Sequence, residues 1–292
     1  MDADATRQPD RARRPPAPDM GGACVVAAPG LHGHAVRRAV GAYCLGRVAT
    51  VTNGTIRLDD AGVVLNGNPV WQHVTGSFAP GSMTAIAGAN GAGKSTLLRA
   101  ILGEVPLASG TITRDGLRQQ DFGYLPQARN IDRAFPISVT DMVLSGAWRQ
   151  TGAFGGADRQ VRLRAASALR RVNLNGQADR MIDALSAGQF QRLMFARLLM
   201  SDARVMMLDE PFTALDAPTT QDLLELVCEW HGQGRTIIAV LHDMRQIRDC
   251  FPDTVLLASG HATWGATSRI LTPEKLRQAY APAQGAGQAT WP

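Results

Sequence analysis

Apolar residues recur along this chain in two rhythms. Met83–Ala87, Val205–Leu208 and Thr236–Leu241 are short, nearly unbroken apolar runs, the pattern of strands covered on both faces of a sheet. Between and around them, residues 187–200 and about 218–231 carry apolar side chains at helical spacing. Ser95–Leu102 reads as a helix stopped by Gly103. Ile56, Leu58 and then Val63–Leu65 read as short strands, with a turn at Asn66-Gly67-Asn68-Pro69. Asp121–Leu125 is a further strand. Residues from about 138 to 182 are mainly helical, with a glycine-rich interruption at 152–156. Val255–Leu257 and 261–264 are late strands, and Pro273 starts a final helix at its first position. Strand and helix alternate with no internal repeat, which predicts an α/β fold built on βαβ units.

Residues 1–50 break this rhythm. They are rich in Ala, Pro, Gly and Arg, and Arg11–Pro18 (RARRPPAP) reads as a solvated, disordered tail. Met20–Val36 lacks charged residues but is interrupted by Pro29 and several glycines, too broken for a signal peptide. No apolar run reaches the ~18 residues that cross a bilayer. Any membrane role is therefore expected at the surface, through a partner.

Composition narrows the classes. A chain of 292 residues with 45% hydrophobic and 19% charged positions can bury a sizeable core. Aromatic content of 5% argues against a stacking platform for single-stranded nucleic acid. The formal charge of +5 carries little weight, because several arginines lie in the tail. Cys24, Cys44, Cys228 and Cys250 form no CxxC pair and no zinc spacing, as expected of incidental reduced thiols. His32 and His34 form an HxH pair with no further ligands beside it.

Two segments carry chemistry. Gly88-Ala-Asn-Gly-Ala-Gly-Lys-Ser-Thr96 matches G-x-x-x-x-G-K-[ST] between an apolar strand and a helix. Gly88, Gly91 and Gly93 let backbone amides turn inward around phosphate oxygens, with Asn90 at the bend. The helix that follows Lys94, with Ser95 and Thr96 in its first turn, points its N-terminus at the anion. Lys94 reaches the β- and γ-phosphates, and Ser95 can ligate Mg²⁺. Chance occurrence is on the order of a few in a thousand. Lys94 and Lys275 are the only lysines among many arginines, and arginine cannot replace a compact ammonium here. The second segment, Val205-Met-Met-Leu-Asp-Glu210, is a buried strand ending in two carboxylates. Asp209 can hold the Mg²⁺ shell, and Glu210 can polarise a water. Alone the pair is a common strand ending. With the phosphate loop it supplies both halves of a Mg-nucleotide hydrolase.

The order of further motifs resembles the ATP-binding-cassette (ABC) ATPase family from about residue 56 to 280. Leu185-Ser-Ala-Gly-Gln189 resembles the family's signature, Gln127 its Q-loop, Ala214-Leu215-Asp216 its D-loop and His242 its switch histidine. The resemblance implies a phosphate-loop NTPase of ABC type: a RecA-like mixed sheet core, an antiparallel β subdomain and an α-helical subdomain at about 135–190, within an ATPase domain over 51–285. It implies ATP and Mg²⁺ as cofactors, with Glu210, His242 and Gln127 catalytic and Ser95, Gln127 and Asp209 around the metal. It further implies a head-to-tail dimer in which Ser186, Gly188, Gln189 and Asp216 of one copy complete the nucleotide cage of the other. The partners implied are a membrane permease and, indirectly, a periplasmic metal-binding protein, with no nucleic acid. The place implied is the cytoplasmic face of the inner (plasma) membrane.

Phe122-Gly-Tyr-Leu-Pro-Gln127 and Asp132–Val143, above all Phe135-Pro-Ile-Ser-Val139, resemble the zinc/manganese-uptake branch, with zinc expected ahead of manganese. Other readings are a soluble ABC-type ATPase acting on nucleic acid or ribosomes, a nucleotide-binding assembly protein, or a transporter for another substrate. The single cassette and the absence of a heptad run or cysteine cluster argue against the first. Glu210 and His242 together argue against the second.

Two positions depart from the family pattern. Ala187 stands where glycine is usual, and Leu65 where an aromatic residue usually stacks on adenine. Trp71 is nearby but is expected in the core. Leu65→Tyr is expected to tighten ATP binding; an unchanged Kd would assign the base to another residue.

Overall fold

A computed structural model describes residues 54–148, 152 and 156–280. The expected N-terminal tail at 1–50, the His32/His34 pair, Cys24 and Cys44 lie outside the described residues. Strands β1 (Ile56–Leu65), β2 (Asn68–Phe78) and β4 (Ser109–Arg114) form an antiparallel three-stranded sheet in the order β2-β1-β4. The larger sheet is six-stranded. It runs β5 (Phe122–Leu125), β6 (Val205–Asp209), β7 (Thr236–Val240), β3 (Met83–Gly88), β8 (Asp253–Ala258) and β9 (His261–Ala266). All neighbours in it are parallel except β8 and β9.

The apolar runs become the central strands for the expected reason. All positions of β3, β6 and β7 are buried, because each strand is covered on both faces. Side chains alternate between two cores. Met83, Ala85, Ala87, Met206 and Leu208 join one cluster, while Ile86, Met207, Ile238 and Val240 join the other. Helix α1 (Lys94–Leu102) covers the second face with Leu97, Leu98 and Ile101. Gly103 closes it in a left-handed cap, φ 79°.

Two strands escape the apolar pattern, and one is longer than that pattern suggests. β4 (SGTITR) has no buried position and β2 opens with Asn68-Pro69; both exist because β1 offers them a ladder. β1 itself runs unbroken through Asp60, which adopts φ 47° at a register shift and whose amide donates to Thr75 Oγ1. The polar stretch Asp59-Asp60 therefore bulges the strand instead of ending it.

Three helices pack together between β5 and β6: α2 (Val139–Leu144), α3 (Arg159–Arg171) and α4 (Ala187–Leu199). Their first turns are capped by Ser138, Asp158 and Ser186 respectively. Helix α5 (Ala217–Gly232) follows β6 and is capped by Asp216. Phe195 of α4 stacks between Trp230 of α5 (centroids 5.9 Å apart) and Phe212 (6.3 Å). That stack holds the segment leaving β6. The remaining described helices are α6 (Met244–Cys250), α7 (Thr267–Ile270) and α8 (Pro273–Tyr280).

β3, β5, β6 and β7 thus release their following segments at one edge of the sheet, where ligands of open parallel sheets bind. Gly88 is fitted to that edge. It has φ 150°, and a Cβ there would lie 2.3 Å from the Leu257 carbonyl oxygen of β8. Gly88→Ala is expected to cost about 2 kcal/mol or more of stability through backbone clash. A denaturant titration with an unchanged midpoint would mean that β3 and β8 do not pair in this register.

Candidate functional site

The phosphate-loop segment turns out of β3 through Gly91 (φ 80°) and Gly93 (φ 86°), the latter capping α1. Its back is braced by β2. A Cβ on Gly93 would lie 2.5 Å from Val70 Cγ1 and 2.8 Å from Trp71 Cδ1, so the loop rests directly on these side chains. Trp71 is fully buried, in the core as expected. Asn90 and Gly91 are exposed at the crest, and Thr96 is half-buried in the first turn of α1.

Lys94 is 6% exposed. Its Nζ donates to the carbonyls of Gly88 and Ala89, both at 2.9 Å. Burial pushes its pKa down, while Glu210 and then Asp209 pull it back up. A compact ammonium is thereby held at the mouth of the loop with two carboxylates nearby.

Asp209 ends β6 and is 1% exposed. Burial raises its pKa, and hydrogen bonds from Ser95 and Gln127 oppose that rise. Ser95 Oγ donates to Asp209 Oδ1 at 3.0 Å, and the Tyr124 hydroxyl donates to Oδ2 at 3.4 Å. Burial and the Asp209 charge drive the Tyr124 phenol far above its ordinary range, so it stays a neutral donor.

Glu210 follows at φ 50°, a left-handed backbone that turns its side chain away from that of Asp209. His242, in the segment after β7, places Nε2 2.9 Å from Glu210 Oε1. Thr213 Oγ1 donates to Oε2 at 3.3 Å. Burial would raise the carboxyl's pKa, but His242, Arg129 and Thr213 outweigh it and hold Glu210 ionised below its ordinary value. Gln127, 7% exposed, lies across both acids. Its Nε2 is 2.9 Å from Glu210 Oε1, 3.2 Å from Ser95 Oγ and 3.4 Å from Asp209 Oδ1.

The structure therefore gathers Gly88–Thr96, Gln127, Asp209, Glu210 and His242 into one cluster. Ser186, Gly188, Gln189 and Asp216 stand apart from it and serve their own helices. Ser186 Oγ accepts from the Gln189 amide at 3.2 Å, and Gln189 Oε1 accepts from the Ser186 amide at 3.0 Å, a capping box. Asp216 Oδ1 accepts from the Thr219 amide at 3.0 Å, which lowers its pKa. Gly188 presents almost open space, since an added Cβ would meet only Leu215, at 3.7 Å. Leu65 is 39% exposed at the tip of the β1–β2 hairpin.

Several site residues carry no sequence signal. Tyr124, Thr213, Arg129 and Arg133 are ordinary residues in strand and loop positions. Arg133 reaches across to uncharged groups: its guanidinium donates to the carbonyls of Ile182 and Leu185 and lies 4.8 Å from the centroid of the Phe190 ring. It ties the segment after Gln127 to the residue preceding Ser186. Between that segment, the start of α4 and Glu210–Ala214 lies a cavity of about 430 Å³.

Known proteins resemble this chain in sequence and fold. The ABC transporter family matches residues 71–213. The manganese transport system ATP-binding protein MntB of Bacillus subtilis (strain 168) is 36% identical over 229 residues, which cover 77% of this chain and 92% of that protein. The zinc transport system ATP-binding protein TroB of Treponema pallidum (strain Nichols) is 35% identical over 235 residues, 79% of this chain and 88% of that protein. Among solved structures, an inward-facing metal-chelate type ABC transporter superposes with a TM-score of 0.70 at 29% identity, covering 78% of this chain and 89% of that one.

Lys94→Ala is expected to abolish ATP binding in equilibrium dialysis; normal affinity would remove the loop's assigned role. Glu210→Gln, nearly isosteric, is expected to keep binding and lose turnover by about 10²-fold or more. Undiminished phosphate release would place the base elsewhere.

Proposed function

The chain belongs to the ABC transporter ATP-binding family, and from that premise we propose that it is the ATP-hydrolysing subunit of an importer for a divalent metal, zinc or manganese. The observation that carries the reading is the convergence of Lys94, Ser95, Gln127, Asp209, Glu210 and His242 on one edge of the sheet. In this reading the loop amides and Lys94 grip the β- and γ-phosphates. Glu210, kept ionised and oriented by His242, accepts the proton of the attacking water.

The donor set suits magnesium. Ser95 Oγ and Asp209 Oδ1 lie 3.0 Å apart, hard oxygen donors of the kind Mg²⁺ prefers, and the Gln127 carboxamide reaches them, here with its nitrogen. Ser95, Asp209 and Gln127 would hold the ion, whose charge would offset that of the phosphates. The ATPase domain spans 51–285 in this proposal, with the helical subdomain at about 135–190.

A second copy supplies what one chain leaves unfinished. Ser186, Gly188 and Gln189 at the N-terminus of α4, with Asp216, would face the phosphates of the partner in a head-to-tail dimer. ATP would close this dimer and hydrolysis would release it. Exposed apolar side chains support a permease contact on the helical subdomain: Phe135 is 63% exposed, Trp148 64% and Met181 50%. Among the described residues no helix is long and apolar enough to cross a membrane, so the protein would sit at the cytoplasmic face of the membrane through that permease. A periplasmic metal-binding protein would deliver the cargo on the far side. Relatives bear both metals in their names, which widens the zinc-first expectation drawn from Phe135–Val139 to the pair.

Co-reconstitution with the permease tests this. ATP hydrolysis is expected to rise several-fold when Mn²⁺ or Zn²⁺ is offered on the substrate side. No stimulation by either metal would overturn the metal-import reading while leaving the ATPase intact.

A further inference from the structure

Gln127 is oriented by its neighbours in one sense only. Its amide nitrogen faces Glu210, Asp209 and Ser95. Its amide oxygen accepts from Arg129 Nε at 2.7 Å. Ionised carboxylates only accept and a guanidinium only donates, so the reverse orientation would set oxygen against oxygen on one side and N–H against N–H on the other. Yet a hard cation beside Ser95 and Asp209 takes oxygen ligands. In this arrangement Gln127 turns the wrong end of its amide toward that position.

We propose that Arg129 is a latch that holds Gln127 with its amide oxygen turned away from the magnesium position, so that metal loading requires the amide to turn over and release Arg129. The inference rests on the magnesium reading above. Arg129 is suited to the task. It lies two residues beyond Gln127, so the bond spans a single turn of backbone. Its side chain is 74% exposed, and it also approaches Glu210 Oε1 to 4.0 Å. It can therefore leave without uncovering a buried cation, and the adjoining cavity, lined by Gln127, Arg129 and Glu210, gives it room. The bond is charge-assisted on the donor side, stronger than a neutral one. Release would also be felt farther along the loop, because Arg133 in the same segment grips the carbonyls just before Ser186. Arg129 is a positioning residue; it acts through Gln127.

The test uses the full chain with a non-hydrolysable ATP analogue and Mn²⁺ as a paramagnetic stand-in for Mg²⁺, with free Mn²⁺ counted by electron paramagnetic resonance. Arg129→Ala is expected to bind Mn²⁺ about three- to tenfold more tightly, since no latch bond must break first. In the Gln127→Ala background the same substitution is expected to change nothing. Equal or weaker binding by Arg129→Ala, or an equal gain without Gln127, would overturn the latch. Wild-type protein that binds the analogue but never Mn²⁺ would remove the metal reading and the latch together, a result distinct from equal affinities. Loss of the Arg129 charge beside Glu210 would tighten binding equally with and without Gln127, so the gain that depends on Gln127 is the part that reports the latch.

Discussion

A carboxylate buried to 1% exposure is the constraint around which this molecule is arranged. Asp209 ends a central strand, where burial alone would drive it toward the protonated form. It is kept usable by donors from three other segments: Ser95 from α1, Gln127 after β5 and Tyr124 within β5. Each donor is fixed by the sheet order. β5 is the neighbour of β6, and α1 follows β3 over the same face, so the hydrogen bonds exist only if the crossovers are correct. Site and topology are specified together.

The two acids that follow one another share the Gln127 amide and little else. Asp209 stays on the strand among hydrogen-bond donors, while Glu210 takes a left-handed backbone and meets His242. Opposite shifts result: burial dominates for Asp209, and for Glu210 the surrounding donors overcome it. One carboxylate is thereby suited to holding position and the other to receiving a proton. Adjacent identical chemistry is separated by a single φ angle and by which strand lies alongside.

Legibility from sequence followed the same division. β3, β6 and β7 were readable because burial on both faces forces nearly unbroken apolar runs, and the glycine-lysine loop because its backbone demands few other residue types. Helix ends at Gly103 and Pro273 were readable from their residue types. β4 was not, because a strand whose reason to exist is an edge of β1 needs no apolar code of its own; β2 was not, because its buried residues Trp71, Val74 and Phe78 do not follow the two-residue period of a strand. Arg129, Tyr124 and Thr213 were silent for a related reason: their importance lies in a partner supplied by another element, and nothing in residue type marks that. Gln127 was legible only through the order of motifs around it.

Sequence neighbours of a site residue can thus control it without any motif. Arg129 and Arg133 belong to one short segment and differ in what they hold. Arg129 grips a side-chain oxygen, which a half-turn of that amide releases; Arg133 grips two backbone carbonyls, which are released only when its own side chain or that backbone moves. The first contact is reversible on the scale of a side chain and the second is a tether. The releasable contact lies at the site end of the segment and the double contact at the Leu185 end. The second contact is also the less solvated: Arg133 is half-buried, whereas the Arg129 side chain is 74% exposed.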